Sequence, residues 1–245
     1  MTPQPILTLH WLDQSRAQRI VWLLEELNLE YNIKTYKRDK DFRAPPALEQ
    51  IHPLGKSPVL EIEYLGSEKT RAIAESGHIV QFLLRNFDKD GLLDPKNAED
   101  FDLAEYHTHM AEGTLQAVLT FVLVLRNGQG KAPWAIRPII RGYNDKIIEA
   151  YNAPEAMKVL DMLESTLAEK AKLATSSSQE LFIVGQKLSA ADIMLSFPVA
   201  ELCIFEDRLS TAGFDKAKYP YLVRWAHQIR ERPAYIRAFE KTSGY

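Results

Sequence analysis

The sequence predicts a small α/β domain with the element order β-α-β-α-β-β-α, followed by an all-α domain that forms a helical bundle. Strand-like apolar runs are confined to the first domain, and beyond it each convincing apolar periodicity is helical. The composition changes at residues 88–91 (DKDG), and residues 94–97 (DPKN) are typical of an exposed linker. A chain of 245 residues is also long enough for two modest domains. We therefore assign residues 1–88 to the first domain, 89–97 to the linker and 98–245 to the second domain.

The first domain alternates short strands with helices. Ser15 and Gln18 have the spacing of a capping box at the start of a helix with one apolar face. Pro45 and Pro46 suit the start of a short helical turn. Strands are predicted at residues 6–9, 31–36, 57–62 and 70–73, and helices at 15–28, at 47–51 and from Glu75 onward.

The second domain is predicted from helical periodicity alone. Ser189 and Asp192 have the spacing of a capping box ahead of an apolar stretch, and we assign this pair to folding stability. Helices are predicted at residues 98–126, 134–151, 153–175, 189–205, 220–230 and 234–241.

The composition is that of an ordinary globular protein, with 46% hydrophobic and 26% charged residues. A net charge of −3 gives no electrostatic reason to expect nucleic-acid binding. One cysteine, Cys203, excludes an intrachain disulfide framework. The N-terminus lacks the basic start and apolar run of a secretory signal, and the apolar run 115–125 is shorter than the roughly 20 residues that span a bilayer. We expect a soluble intracellular protein.

Three further patterns resemble functional sites without the spacing that such sites require. His107 and His109 lie two apart on a predicted helix and so point to different faces, and we expect no metal site there. Residues 128–131 (GQGK) lack the spacing and the following Ser or Thr of a phosphate-binding loop. The sequence has no Cys-x-x-Cys motif, which argues against a dithiol oxidoreductase.

Five segments of the chain resemble one known family. In order they are residues 10–16 (HWLDQSR), 51–60 (IHPLGKSPVL), 74–77 (AESG), 185–192 (GQKLSAAD) and 219–225 (YPYLVRW). Together they resemble the cytosolic glutathione transferases, most closely the fungal or yeast-type, membrane-associated branch. The resemblance implies a thioredoxin-like first domain, a homodimer, and no cofactor, with glutathione as co-substrate. It also implies a role in detoxification and the stress response, a cytoplasmic location and peripheral attachment to the endoplasmic reticulum membrane.

The resemblance further implies that glutathione binds to the first domain. In the family the proline at Pro58 is cis, which turns the backbone of Ser57 towards the cysteinyl part of glutathione, so that the ligand pairs like an added strand. Ser76 at a helix N-terminus suits the γ-glutamyl carboxylate, and Glu75 suits its ammonium group. From the residues alone, a trans proline opening a strand and a plain helix cap beside a solvated glutamate remain alternatives.

Two more residues of the same segment are candidates for the glycyl carboxylate of glutathione. The resemblance places Lys56 best for this contact. His52 is the second candidate, and its alternative role is to shape the turn before Pro53.

Ser15 is the predicted catalytic residue. Attack requires the glutathione thiolate, and a thiol of pKa about 8.5 is only a few per cent ionised at pH 7. A hydroxyl donated to a charged acceptor contributes about 1.5–3 kcal/mol, which corresponds to roughly one to two pKa units. The alternatives are that Ser15 only caps the helix, or that the backbone N–H of Arg16 is the donor to the thiolate.

The leading function is therefore glutathione transfer to hydrophobic electrophiles, with apolar side chains of residues 106–121, including Met110, lining the electrophile pocket. Glutathione-dependent peroxide reduction uses the same thiolate and is a second enzymatic hypothesis. The hypothesis from another class is a non-catalytic interaction or regulatory module on the same fold.

Overall fold

The computed structural model describes residues 4–66, 69–89, 91–93, 95–176 and 178–244. The chain divides into two units. One consists of Met1–Lys96 together with Arg230–Tyr245, and the other of Asn97–Ile229.

The first unit is built on a four-stranded mixed sheet. Five of the seven residues of the first strand, Leu7 and residues 9–12, are buried, as expected for a central strand that is covered on both faces. The first and second strands are parallel and the other two pairs are antiparallel, in the order β2-β1-β3-β4. The strands are β1 (Ile6–Leu12), β2 (Asn32–Tyr36), β3 (Val59–Glu63) and β4 (Thr70–Ala74), and the helices are α1 (Gln18–Glu26) and α2 (Ser76–Phe87), with a 3₁₀ turn at Pro46–Gln50. The predicted order β-α-β-α-β-β-α is confirmed, with the 3₁₀ turn in the place of the second helix.

The second unit is entirely helical among the residues that the structure describes, which confirms the predicted all-α domain. Three of its predicted helices, at 98–126, 134–151 and 189–205, overlap π-helical segments that the apolar periodicity does not reveal. Its helices are α3 (Ala98–Met110), α4 (Ala117–Gln129), α5 (Arg137–Ile147), α6 (Ala153–Leu173), α7 (Ala190–Leu195) and α8 (Pro220–Glu231), and its π-helical segments are Ala111–Gln116, Ile148–Asn152 and Ser196–Phe205.

A buried aspartate organises the start of α7. The predicted capping box is present, with Ser189 as the residue that caps the helix and Asp192 as its reciprocal partner. Asp192 Oδ1 also accepts from the backbone N–H of Ile183 and from the indole N–H of Trp225, each at 2.9 Å. Because each of these groups is buried, the carboxylate satisfies donors that would otherwise be unpaired. The assignment of this motif to stability agrees with these contacts.

The last helix, α9 (Pro233–Thr242), belongs to a different unit from the one predicted. The prediction places it in the helical domain of residues 98–245, whereas residues from Arg230 onward belong to the first unit. Glu25 of α1 accepts from Arg237 at 2.8 Å and from Lys241, and Glu26 accepts from Arg232 at 2.7 Å. These pairs join residues that are distant in sequence, so local periodicity has no means of predicting them.

The helical stretch Ala98–Gln129 is long and apolar enough to cross a membrane by length and composition, although the apolar run 115–125 alone is too short. Its most apolar window has a mean hydropathy of 1.3, and 39% of that window is buried within the protein. Core helices of soluble proteins pass the same test, so the stretch is weak evidence for a membrane span.

Candidate functional site

Three connections meet at one end of the sheet of the first unit. Val59 at the start of β3 pairs with His10 near the end of β1 and with Ala74 at the end of β4. The β1–α1 loop, the segment before β3 and the β4–α2 junction therefore lie together. The hydroxyl of Ser57 connects two of them directly, because it donates to the carbonyl of His10 at 2.8 Å and accepts from the N–H of Leu12 at 3.1 Å.

The segment before β3 carries three of the predicted binding residues. The Ser57–Pro58 peptide bond is cis, as the resemblance implies. Lys56 is exposed, and no partner for its ammonium group is found among the described residues. His52 accepts from the N–H of Leu54 at 3.4 Å, a contact that fits the alternative in which His52 shapes the turn.

Gly55 is required in that turn. Its φ is +56°, in the left-handed region, and a Cβ there would lie 2.7 Å from Cγ of Glu49. Glycine avoids both the conformational strain and the clash.

The β4–α2 junction places Glu75 and Ser76 at the N-terminus of a 12-residue helix. Glu75 has φ 69° and ψ 120°, a backbone conformation that is rare for a non-glycine residue and clusters at ligand sites. Ser76 is only 3% exposed, and its hydroxyl oxygen has no hydrogen-bond partner among the described residues. An unpaired buried hydroxyl is unfavourable, so this end of α2 has both the dipole and the donor to hold an anion.

Arg16 brings positive charge to the same place. Burial lowers the pKa of its guanidinium, and the negative charge of Glu75 acts in the opposite direction. The two side chains are thus close enough to interact electrostatically. The loop before α1 and the start of α2 therefore place one positive and one negative side chain near each other, Arg16 and Glu75.

Ser15 lies in the β1–α1 loop and is 7% exposed. Its Oγ accepts from the backbone N–H of Ala17 at 3.2 Å. Because a hydroxyl has one hydrogen to donate and two lone pairs, accepting this bond leaves the hydrogen of Ser15 available for another acceptor. The bond accepted from Ala17 and the proposed donation to a thiolate are therefore compatible.

The predicted Ser15/Gln18 capping box is wrong. The helix begins at Gln18, three residues later than predicted, and has no side-chain cap. The Oε1 atom of Gln18 instead accepts from the indole N–H of Trp11 at 3.1 Å and from the hydroxyl of Thr242 at 3.0 Å. The contact with α9 competes with the local one, and the sequence pattern near α1 carries no signal of it.

Arg38 is a residue of this region that the sequence analysis missed. It follows β2 and donates to backbone carbonyls of Asp13 at 3.1 Å and Gln14 at 3.4 Å, in the loop that precedes Ser15. From the sequence alone, an arginine in a polar segment is expected to be a solvent-exposed cation with no structural role. Only the parallel pairing of β1 and β2, which brings the ends of both strands together, indicates its position.

In the second unit, the residues considered for the electrophile differ in exposure. Met110 is buried, whereas Tyr106 and Phe121 are exposed. His107 is buried and His109 is exposed, so the two side chains point to different faces as predicted.

Models of known families match both parts of the chain. Residues 5–85 match the glutathione S-transferase N-terminal domain, and residues 118–233 match the glutathione S-transferase C-terminal domain.

Full-length relatives agree with these matches. Glutathione S-transferase 1 of Saccharomyces cerevisiae is 37% identical over 238 residues, covering 97% of this chain and 95% of the relative. Glutathione S-transferase 3 of Schizosaccharomyces pombe is 31% identical over 236 residues, covering 96% and 88%. A crystal structure of a glutathione S-transferase from Actinobacillus pleuropneumoniae superposes with a TM-score of 0.71 at 29% identity, covering 97% of this chain and 93% of that one. The chain belongs to the glutathione S-transferase family.

Proposed function

We propose that this glutathione transferase holds glutathione at the end of the sheet where Ser57, Glu75 and Ser76 lie, and that the Ser15 hydroxyl stabilises the glutathione thiolate. The observation that carries the proposal is the buried, unpartnered hydroxyl of Ser76 at the N-terminus of α2. A carboxylate bound there supplies the missing acceptor and interacts favourably with the helix dipole.

The neighbouring groups fit the rest of the tripeptide. Glu75 is a carboxylate next to the anion site and suits the α-ammonium group, while the cis Ser57–Pro58 segment offers the backbone edge for the cysteinyl residue. Lys56 is exposed one residue before and suits the glycyl carboxylate, with His52 as the second candidate for that contact. Glutathione thus enters as co-substrate, and the proposed chemistry uses no cofactor and no metal.

Ser15 acts on the thiol as a hydrogen-bond donor. The bond that its oxygen accepts from Ala17 polarises the hydroxyl and strengthens its own donation. The hydroxyl donates a stronger hydrogen bond to the thiolate than to the neutral thiol. This difference lowers the pKa of the thiol. The backbone N–H of Arg16 is the alternative donor at the same loop.

The activated thiolate attacks the electrophilic atom of the second substrate. A carbon–sulfur bond forms, and the leaving group departs with its electron pair. With a hydroperoxide the same sulfur attacks the terminal oxygen, the O–O bond breaks and the alkoxide leaves as an alcohol, so that glutathione becomes a sulfenic acid. The thiol of a second glutathione then attacks this sulfur, water leaves, and glutathione disulfide forms. Exposed apolar side chains within residues 106–121, among them Tyr106 and Phe121, are the candidates for binding a hydrophobic electrophile. The cellular role that follows is detoxification.

One experiment tests the site and the reaction together. The purified chain should be retained on immobilised glutathione and should conjugate a model aryl halide, with an organic hydroperoxide assayed in parallel. Glu75→Ala should raise the KM for glutathione more than it lowers kcat, because binding common to ground and transition states is lost. Retention without either activity would favour the interaction-module hypothesis, and unchanged KM in Glu75→Ala would exclude Glu75 from the site.

A homodimer is proposed from the apolar surface of the Ala98–Gln129 helix. Large apolar side chains remain exposed there, and their burial against a second copy of the chain would be favourable. They are Phe101, Leu103 and Val124. Sedimentation at micromolar concentration should give twice the 28.0 kDa mass of the chain, and a monomer would contradict the proposal.

A cytoplasmic location with peripheral attachment to the endoplasmic reticulum membrane is proposed from a second surface. Residues 126–146 contain five basic residues and one acidic residue, in a chain whose net charge is −3. Trp134, Ile139 and Tyr143 of this segment are exposed, with Trp134 at 84%. Aromatic and basic side chains together favour anionic membrane surfaces.

The chain should sediment with phosphatidylserine-containing vesicles, and Trp134→Ser should weaken this binding. Equal behaviour with and without vesicles would contradict the attachment.

A further inference from the structure

We infer that Arg38 is a positioning residue for thiolate activation, because its guanidinium fixes the loop that presents Ser15. This inference rests on the proposed role of Ser15 in the reaction. It concerns the conformation of residues 13–15, which precede α1. Of these three residues, only Ser15 is a proposed contact of glutathione.

Arg38 donates two hydrogen bonds to Asp13. The backbone N–H of Arg38 donates to Asp13 Oδ1 at 2.8 Å, and Nε of Arg38 donates to the Asp13 carbonyl at 3.1 Å. The N–H of Asp13 in turn donates to the carbonyl of Tyr36 at 3.0 Å, which extends the pairing of β1 with β2. The start of the loop is therefore anchored to the strand from which Arg38 emerges.

The other nitrogens of the guanidinium bind two separate segments. Nη2 donates to the carbonyl of Gln14 at 3.4 Å, and Nη1 donates to the carbonyl of Phe42 at 3.1 Å. The Phe42 ring lies under the guanidinium, 4.5 Å from its carbon to the ring centroid. Arg38 thus ties the loop before Ser15 to the segment 39–42, and the ring limits the freedom of the cation.

The loop needs such a restraint because of its backbone. Gln14 has φ 48°, a conformation that costs a non-glycine residue free energy and persists only where the surroundings impose it. Ser15 follows directly, so a change at Gln14 moves the Ser15 hydroxyl. A hydrogen bond weakens steeply as its angle falls, and a small displacement would therefore reduce donation to the thiolate.

Arginine suits this role better than lysine. Its planar fork donates in several fixed directions, and here it reaches three carbonyls on two segments. An ammonium group has the same charge without the fixed geometry, so we expect Arg38→Lys to keep only part of the effect.

The test compares Arg38→Gln and Arg38→Lys with a matched control. Lys37→Gln removes the same charge at the adjacent, exposed position. In Arg38→Gln the pKa of the bound glutathione thiol, read from thiolate absorbance, should rise and lower kcat at neutral pH by about three- to ten-fold. The KM for glutathione should change by less than about two-fold, since the proposed binding contacts are intact. Arg38→Lys should fall between Arg38→Gln and the wild type, and Lys37→Gln should match the wild type.

A second readout needs no activity. Amide hydrogen exchange of residues 13–17, measured without glutathione, should be faster in Arg38→Gln while the amides of β3 keep their protection. If the wild type binds no glutathione, the proposed function fails, and the exchange data still decide whether Arg38 fixes the loop. Arg38→Gln and Lys37→Gln with the same exchange and the same thiol titration would overturn the inference.

Discussion

His107 makes the stability of the second unit depend on pH in a way that can be measured. Its side chain is 6% exposed, and its Nδ1 has no hydrogen-bond partner among the described residues. Burial, together with the positive charge of Lys170, lowers the pKa of His107 from 6.5 to about 4. The imidazole is therefore neutral in the folded protein at any pH above about 4.

The sign follows from proton binding. Between pH 6.5 and about 4 the unfolded chain binds a proton at His107 and the folded chain does not. The free energy of unfolding is therefore not reduced by His107 above pH 6.5, and it falls as the pH is lowered from 6.5 to about 4. At 1.36 kcal/mol for each pKa unit, the loss is about 3 kcal/mol over the whole window.

The assay is urea unfolding of the wild type and of His107→Gln at a series of pH values from neutral to acidic. His107→Gln removes the titrating group. On acidification, the free energy of unfolding of this variant should therefore fall by about 3 kcal/mol less than that of the wild type. His109→Gln is the matched control at an exposed position two residues on, and it should keep the pH dependence of the wild type. If His107→Gln loses as much stability as the wild type between neutral and acidic pH, the reasoning is refuted.

Two further predictions concern buried groups of the second unit. Asp192→Ala leaves the donors of Ile183 and Trp225 unpaired, so it should lower the free energy of unfolding by about 3–5 kcal/mol in urea titrations, with Asp192→Asn less severe. A loss below about 1 kcal/mol would contradict the assigned role. Burial raises the pKa of the Cys203 thiol to about 12, so the native chain should not react with Ellman's reagent at mildly alkaline pH and should release one equivalent in denaturant. Full reaction in the native state would show that Cys203 is accessible.

Much of the fold could be predicted because it is encoded locally. Alternating and helical periodicities predict the strands and most helices, and the spacing of Ser189 and Asp192 predicts their capping box. The π-helical segments were not predicted, since one inserted residue barely changes an apolar pattern. The position of α9 was not predicted either, because it depends on ion pairs such as Glu26 with Arg232, which no local pattern contains.

The candidate site was predicted in part, and for a physical reason. Ser57, Glu75 and Ser76 stand at the ends of predictable strands and a predictable helix, so topology alone brings them together. Gln18 was misassigned because Trp11 and Thr242 compete for its side chain. Arg38 was missed because its partners are backbone carbonyls, which leave no mark on the sequence.

The most direct test of the proposed mechanism is the pH titration of glutathione thiolate absorbance, bound to the wild type and to Ser15→Ala. Loss of the donated hydrogen bond should raise the thiol pKa by about one to two units. The rate at neutral pH should then fall by about ten-fold or more and recover in part as the pH rises. If Ser15 only accepts the local bond from Ala17, its substitution would cost about 1 kcal/mol of stability and leave the titration unchanged. Identical titration curves would contradict the account and leave the backbone N–H of Arg16 as the donor to test.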